Sequence, residues 1–145
     1  MSEKIDFDLQ NFLPYLLNQA AEESSLAFQQ VYKGRYGMLR TEWRVLFHLG
    51  IYGQITAKEI GARAKIHKTK VSRAVSKLEQ RRFLTRTRDA QDRRVEHLNL
   101  TGAGQAAYRD LQSVADTYDK KLSALFPVAE ANMLRSMLRR LAGLE

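Results

Sequence analysis

The chain contains no cysteine, which excludes disulfides, cysteine-ligated metals and thiol-based redox sensing. It has only two prolines and eight glycines in 145 residues and no low-complexity stretch, so no flexible linker is evident. That length suits one compact unit or two small ones. No apolar run approaches the length of a membrane span, and no repeat is visible. The first eight residues, Met1 to Asp8, are acidic and polar, unlike a secretory leader, so the cytoplasm is the expected location and no membrane partner is expected. Of the histidines, His48, His67 and His97 stand apart, without Asp, Glu or Cys at ligand spacing, so no metal site is expected. There is no phosphate-cradling Gly-rich loop, no Cys nucleophile and no clustered carboxylate pair with a basic partner. Neither an enzyme nor a bound cofactor is expected, and no residue is assigned a catalytic role.

What is abundant is positive charge, and it is unevenly placed. The chain carries a net +8 with a pI near 9.9. Residues 35–100 hold 16 Lys/Arg against 6 Asp/Glu, a net of +10, which leaves 8 bases and 10 acids for the two ends. A polyanionic partner that meets the middle of the chain is the simple physical reading. A basic surface that is merely solvated would also show this pattern, so the charge needs a structural context.

The stretch 56–100 supplies it. Thr56 followed by Glu59 is a capping box, in which each residue satisfies an orphan amide of the first helical turn. A short helix over about 57–65 follows. A second helix is expected over about 67–81, where Val71, Ala74, Val75 and Leu78 recur at helical spacing and form one stripe to bury. The opposite side carries Thr69, Lys70, Ser72, Arg73, Ser76 and Lys77, which are hydroxyls and long cations with no carboxylate. Two helices joined by a tight turn, the second with such a face, suit insertion into a DNA major groove. Residues 83–88 and 95–100 then alternate as strands around the polar turn 89–94. They form a hairpin wing that carries Arg93 and Arg94 outward.

Long amphipathic segments flank this centre. Residues 11–32 carry Phe12, Leu13, Leu16, Leu17, Phe28 and Val31, and Pro14 falls in the first turn, where a helix tolerates it. Thr41 is the expected N-cap of a helix with Trp43, Leu46, Phe47 and Leu49 that ends at Gly50 or Gly53. Trp43, Phe47, Tyr36 and Tyr52 are most simply core residues around it. Thr101 caps a helix over about 102–124, Pro127 breaks it, and 128–141 forms a last helix with Met133, Leu134, Met137, Leu138 and Leu141. Stripes of this length cannot all be buried against so small a centre. A helical dimerisation region is therefore expected, and two-fold symmetry would present two recognition helices.

This order of elements resembles the MarR family of winged helix-turn-helix regulators, over nearly the whole chain. The resemblance is carried by Trp43-Arg44-Val45-Leu46, by Lys68-x-x-Val71-Ser72-Arg73-x-Val75-x-x-Leu78-Glu79, and by Asp92-Arg93-Arg94-x-x-x-Leu98-x-Leu100-Thr101-x-x-Gly104. It implies a mainly α fold with a small β-hairpin wing. Residues 36–101 would be the DNA-binding region, and 1–35 with 102–145 the dimerisation region of a single domain. It also implies a homodimer on pseudo-palindromic operators, most often a repressor, and commonly an effector that shifts the dimer out of its DNA-binding geometry. Two departures stand out. Arg82 occupies a position usually held by glycine, where a left-handed backbone is favoured. His67 stands where Ser or Asp usually caps the recognition helix.

On this reading Arg73 offers its guanidinium fork to guanine O6 and N7, or else pairs with Glu79. Thr69 and Lys70 lie near the helix N-terminus, where base contacts tend to arise. Lys68, Ser72 and Lys77 are expected on phosphates, which position the protein without reading sequence. Arg93 and Arg94 suit a narrow minor groove, although one of them could pair with Asp92 and shape the loop. An effector site for a small aromatic carboxylate, formed by Tyr36, Trp43, Arg44 and Phe47, is the sharper alternative to a purely packing role for those residues. The competing function is an architectural or non-specific nucleic-acid binder without effector control, using the same basic face on double-stranded DNA.

Overall fold

A computed structural model of the chain describes residues 6–144. A short 3-10 turn at Leu9–Asn11 precedes helix α1, Leu13–Tyr36, with Pro14 in its first turn. Gly37 ends α1 with φ 62°, and its amide turns back to the carbonyls of Lys33 and Tyr32. Helix α2 spans Arg40–Tyr52 and starts two residues earlier than a Thr41 cap would allow. The cap position is Leu39, whose backbone amide donates to the Glu42 carboxylate at 2.8 Å. A carboxylate three residues into the helix satisfies the orphan donor, so the Thr41 hydroxyl is not needed there. The helix also runs through Gly50 and stops at Gly53, φ 74°. Gly50 is where α2 meets a later helix: a Cβ there would lie about 2.4 Å from the ring of Tyr108.

Ile55–Thr56 forms a two-residue strand, β1, followed by α3, Ala57–Ala64, and α4, Lys68–Gln80. The Thr56 hydroxyl accepts from the Glu59 amide at 3.2 Å, which is one of the two bonds of the expected capping box. His67 does cap α4: its Nδ1 accepts from the Thr69 amide at 3.2 Å. Strands β2, Leu84–Arg88, and β3, Glu96–Leu100, pair antiparallel, with Leu84 opposite Leu100 and Arg88 opposite Glu96. The extended piece before the capping box joins them as a third strand, with Ile55 opposite Leu98, so the sheet order is β1-β3-β2. Helices α5, Gly102–Ser123, and α6, Val128–Ala142, complete the chain. Among the described residues no helix is long and apolar enough to cross a membrane.

The core lies beneath α4, where Val71, Ala74, Val75 and Leu78 pack with Val45, Leu46, Leu49, Ile60, Leu84, Leu98 and Leu111. All are almost fully buried. Each such aliphatic side chain contributes about 1.5–3 kcal/mol through removal from water, enough to hold the amphipathic α4 with its polar face outward. Arg82 adopts the left-handed conformation, φ 63°, that the glycine-like position demands. Its carbonyl accepts from the Thr101 hydroxyl at 2.7 Å, and the Thr101 amide donates to Phe83 at 3.0 Å. These bonds hold the strained turn against the start of α5.

Two features depart from a simple reading of the stripes. Tyr52, expected in the core, is 48% exposed, and the Arg63 guanidinium covers its ring at 4.1 Å. The residue sits in the last turn of α2, on its outer side. More consequentially, α6 buries only Ala131, and leaves Met133, Leu134, Met137, Leu138 and Leu141 exposed. Leu125, Phe126 and Val128 before it, and Phe12, Leu13 and Leu16 at the start of α1, are exposed as well.

Candidate nucleic-acid interface

The inward stripe of α4 forces its other side into solvent. Lys68, Thr69, Lys70, Ser72, Arg73 and Lys77 are all exposed. Glu79, the one carboxylate on α4, is engaged elsewhere: its Oε1 lies 3.2 Å from Arg86 Nε. Arg86 is a strand residue that points back at the helix. It donates to Ser76 Oγ at 3.0 Å and pairs with Glu96 Oε2 at 3.3 Å, and so ties α4, β2 and β3 together. Arg73 makes no side-chain hydrogen bond or ion pair with the described residues, and its fork stays free for an external acceptor.

Arg86 was not singled out by the sequence pattern. The signal was its parity, since it lies on the same face of β2 as the buried Leu84, toward the helix and away from solvent. The arginine therefore fixes the angle at which the wing leaves α4.

The wing tip separates its two arginines. Arg94 Nε lies 3.2 Å from Asp92 Oδ1, and its backbone amide donates to the same oxygen at 3.1 Å. Arg93 is exposed and makes no side-chain hydrogen bond or ion pair with the described residues. The loop beneath them is organised by Asp89, whose carboxylate accepts from the amides of Gln91 at 3.0 Å and Asp92 at 2.9 Å and meets His97 Nε2 at 3.1 Å. The bond to His97, then the backbone amides, hold the Asp89 carboxyl below the usual carboxylate range. The loop is thus preformed, with one arginine used to shape it and one left over.

The four residues of the expected effector site lie on two elements with different duties. The Tyr36 hydroxyl donates to Asp110 Oδ2 at 2.6 Å, and burial, reinforced by that carboxylate, pushes its pKa up to about 12. Arg44 is half buried and donates from Nη2 to the Ala64 carbonyl at the end of α3, at 2.6 Å. Burial, with Arg40 nearby, lowers its pKa. Trp43 and Phe47 meet edge to face at 5.1 Å, and both meet Phe28, which stacks on Tyr118 of α5 at 6.5 Å. This aromatic cluster borders an open depression of about 310 Å³ lined by Ser113, Val114, Thr117, Tyr118 and Lys121. Among the described residues no group of three or more His, Asp or Glu could hold a metal ion.

An outward basic recognition helix, a preformed wing and a capping-box helix before them are the parts of a winged helix-turn-helix. The MarR family model matches residues 36–95, the span from the end of α1 to the wing. Over that span the chain is similar to the MarR family. It is similar to the HTH-type transcriptional regulator YwaE of Bacillus subtilis (strain 168), 22% identical over 126 residues, covering 87% of this chain and 74% of the relative. The crystal structure of a MarR/EmrR family transcriptional regulator from Acinetobacter sp. ADP1 superposes with a TM-score of 0.83 at 26% identity, over 94% of this chain and 96% of that one. BpsR of Bordetella bronchiseptica, whose DNA binding is regulated by 6-hydroxynicotinic acid, shares the fold with a TM-score of 0.85 at 20% identity, over 95% and 98%. The fold is that of the winged-helix regulators of the MarR family.

Proposed function

We propose that the protein acts as a cytoplasmic homodimer that represses transcription by binding pseudo-palindromic operators. Residues 36–101 engage DNA, and residues 1–35 and 102–145 form the dimer. The reading rests above all on the α4 face, which presents six hydroxyls and cations with the one carboxylate of the helix already engaged by Arg86. Arg73 reads a base edge, Thr69 and Lys70 add contacts near the helix N-terminus, and Lys68, Ser72 and Lys77 hold phosphates. Arg93 enters the minor groove beside the half-site, while Arg94 keeps the loop in shape through Asp92. The bare apolar stripe of α6 is covered by a second copy of the chain, consistent with the two-fold symmetry such operators demand.

Binding measured on a duplex selected from a random pool and on random duplex, at several salt concentrations, separates these roles. Arg73→Ala is expected to cost about 1–3 kcal/mol on the selected duplex and less on random DNA. Lys68→Ala should weaken both equally and reduce the salt slope by about one counterion. Arg93→Ala should cost more than Arg94→Ala, most where an A·T-rich minor groove flanks the half-site. Equal losses on both DNAs for Arg73→Ala would make it a backbone clamp. A wild-type protein displaced as readily by random duplex as by its selected site would be an architectural binder instead.

A small aromatic carboxylate is proposed as effector, received where the Trp43–Phe47 cluster borders the depression on α5, with Arg44 and Tyr36 as its polar partners. BpsR, similar in fold, is regulated by a ligand of this chemistry. To release DNA, the ligand must bind the DNA-incompetent geometry more tightly than the competent one. A panel of benzoate-like and hydroxynicotinate-like acids should therefore contain members that raise the melting temperature and weaken operator binding together. A panel in which none does either would remove the effector.

A further inference from the structure

The turn before the recognition helix and the residue after it are each tied by a cation to the C-terminus of a flanking helix. At the front, Lys65, the left-handed residue that closes α3 at φ 55°, donates from Nζ to the carbonyl of Ala142, the last residue of α6. At the back, Arg81, the residue that follows α4, donates from Nη1 to the carbonyl of Tyr36, the last residue of α1. The two acceptors are built alike. Each is the final helical residue before a glycine of positive φ, Gly37 at 62° and Gly143 at 70°. Each glycine amide turns back into the last turn, to Lys33 and Tyr32 in one helix and to Arg139 and Arg140 in the other. That closure leaves the carbonyl before the glycine without an intrahelical partner, at the negative end of the helix dipole. Gly37 also makes room for its cation, since a Cβ there would stand 2.7 Å from Arg81 Nη1.

Neither cation is part of the core, and both side chains lie on exposed residues. The anchor on α1 is itself fastened: the Tyr36 hydroxyl binds Asp110 at 2.6 Å, and Arg35 pairs with the same carboxylate at 2.8 Å. The end of α4 is thus connected through α1 to α5, and the turn that leads into it directly to α6.

We propose that Lys65 and Arg81 are positioning residues that fix the orientation of α4 on the flanking helices, and through it the separation of the two recognition helices across the dimer. The inference rests on the dimeric, operator-binding function proposed above. A dimer must match half-sites about one helical turn apart, roughly 34–36 Å. Freedom at either end of α4 blurs that match and adds an ordering cost on binding. The effect falls on paired half-sites, and no DNA contact is removed.

The test uses full-length Lys65→Met and Arg81→Met, with Lys65→Arg and Arg81→Lys as conservative counterparts. The duplexes are one selected by the wild type, the same duplex with one or two base pairs added or removed between half-sites, and random DNA. Each Met variant is expected to lose about threefold to thirtyfold on the selected duplex and to show a flatter dependence on half-site spacing. Affinity for random DNA and the salt slope should hold, and the conservative variants should recover most of the loss. Equal losses on every duplex with a smaller salt slope would make the two residues phosphate contacts and overturn the proposal. So would variants that keep both the affinity and the spacing optimum of a dimeric, selective wild type. A wild type that is monomeric, or blind to sequence, overturns the proposed function, and the positioning role falls with it.

Discussion

A chain ended at Pro127, without residues 128–145, is expected to be monomeric at micromolar concentration and to lose at least about a hundredfold in operator affinity. The physical reason is the imbalance of α6, which buries Ala131 and exposes Met133, Leu134, Met137, Leu138 and Leu141. One protomer holds this helix mainly by polar links at its flanks, such as Arg135 to Asp119 at 2.9 Å. The apolar face therefore contributes to stability only when a second surface covers it. Removing α6 removes that surface and leaves most of the core beneath α4 in place. Each half-site must then be bound separately, without the high effective concentration that a dimer confers. Sedimentation together with operator titration checks this. The idea fails if full-length protein sediments only as a 16.7 kDa species, or if the shortened chain binds the operator as tightly as the intact one.

Gly104→Ala is expected to be the most damaging single-methyl change in the chain. The Cβ it adds would stand 2.0 Å from the Phe83 carbonyl oxygen and 3.0 Å from its carbonyl carbon. Both belong to backbone that cannot swing aside, because Phe83 also accepts from the Thr101 amide at 3.0 Å and donates to Leu78 at 2.9 Å. The Gly104 amide is meanwhile held by the Thr101 hydroxyl at 3.0 Å. Overpacking of this kind costs about 1–3 kcal/mol and can cost more, and for a chain of this size each kcal/mol lowers Tm by roughly 2–4 °C. The displaced segment joins α4 to the wing, so operator affinity should fall with Tm. Ala at 103, an exposed neighbour in the same turn, serves as the comparison when replaced by Ser, which should leave both unchanged. A melting temperature for Gly104→Ala within a degree of the wild type would show that the turn has slack the geometry does not suggest.

The elements themselves were legible because each carries a local signature. Thr56 with Glu59 and Thr101 with the residues after it mark helix starts through hydrogen bonds made within one turn, and Pro14 and Pro127 mark them by lacking the amide a helix interior needs. The stripe of Val71, Ala74, Val75 and Leu78 placed one face of α4 inward and so placed Arg73 and its neighbours outward. Local signals also compete. Thr41 looked like a cap, yet Glu42 satisfies the Leu39 amide first. Gly50 looked like a stop, yet its missing Cβ serves the approach of Tyr108 from a helix more than fifty residues away. No window of neighbouring residues contains that information.

The charge asymmetry, the helical periods, the caps, the wing and the family resemblance were determined by the sequence alone, because each depends on residue type and spacing along one strand or one turn. Which arginine is free was not. Arg93 and Arg94 are adjacent and identical, and only the folded loop gives Asp92 to Arg94. Arg73 and Arg86 both had Glu79 within conceivable reach, and the pairing of β2 with β3 assigns it to Arg86. Lys65 and Arg81 are surface cations in the sequence, and become tethers only when α6 and α1 bring the carbonyls of Ala142 and Tyr36 beside them. Partner choice among like charges depends on distances between segments far apart in the chain. Those distances are set by packing of the whole core, and they exist only in the tertiary structure.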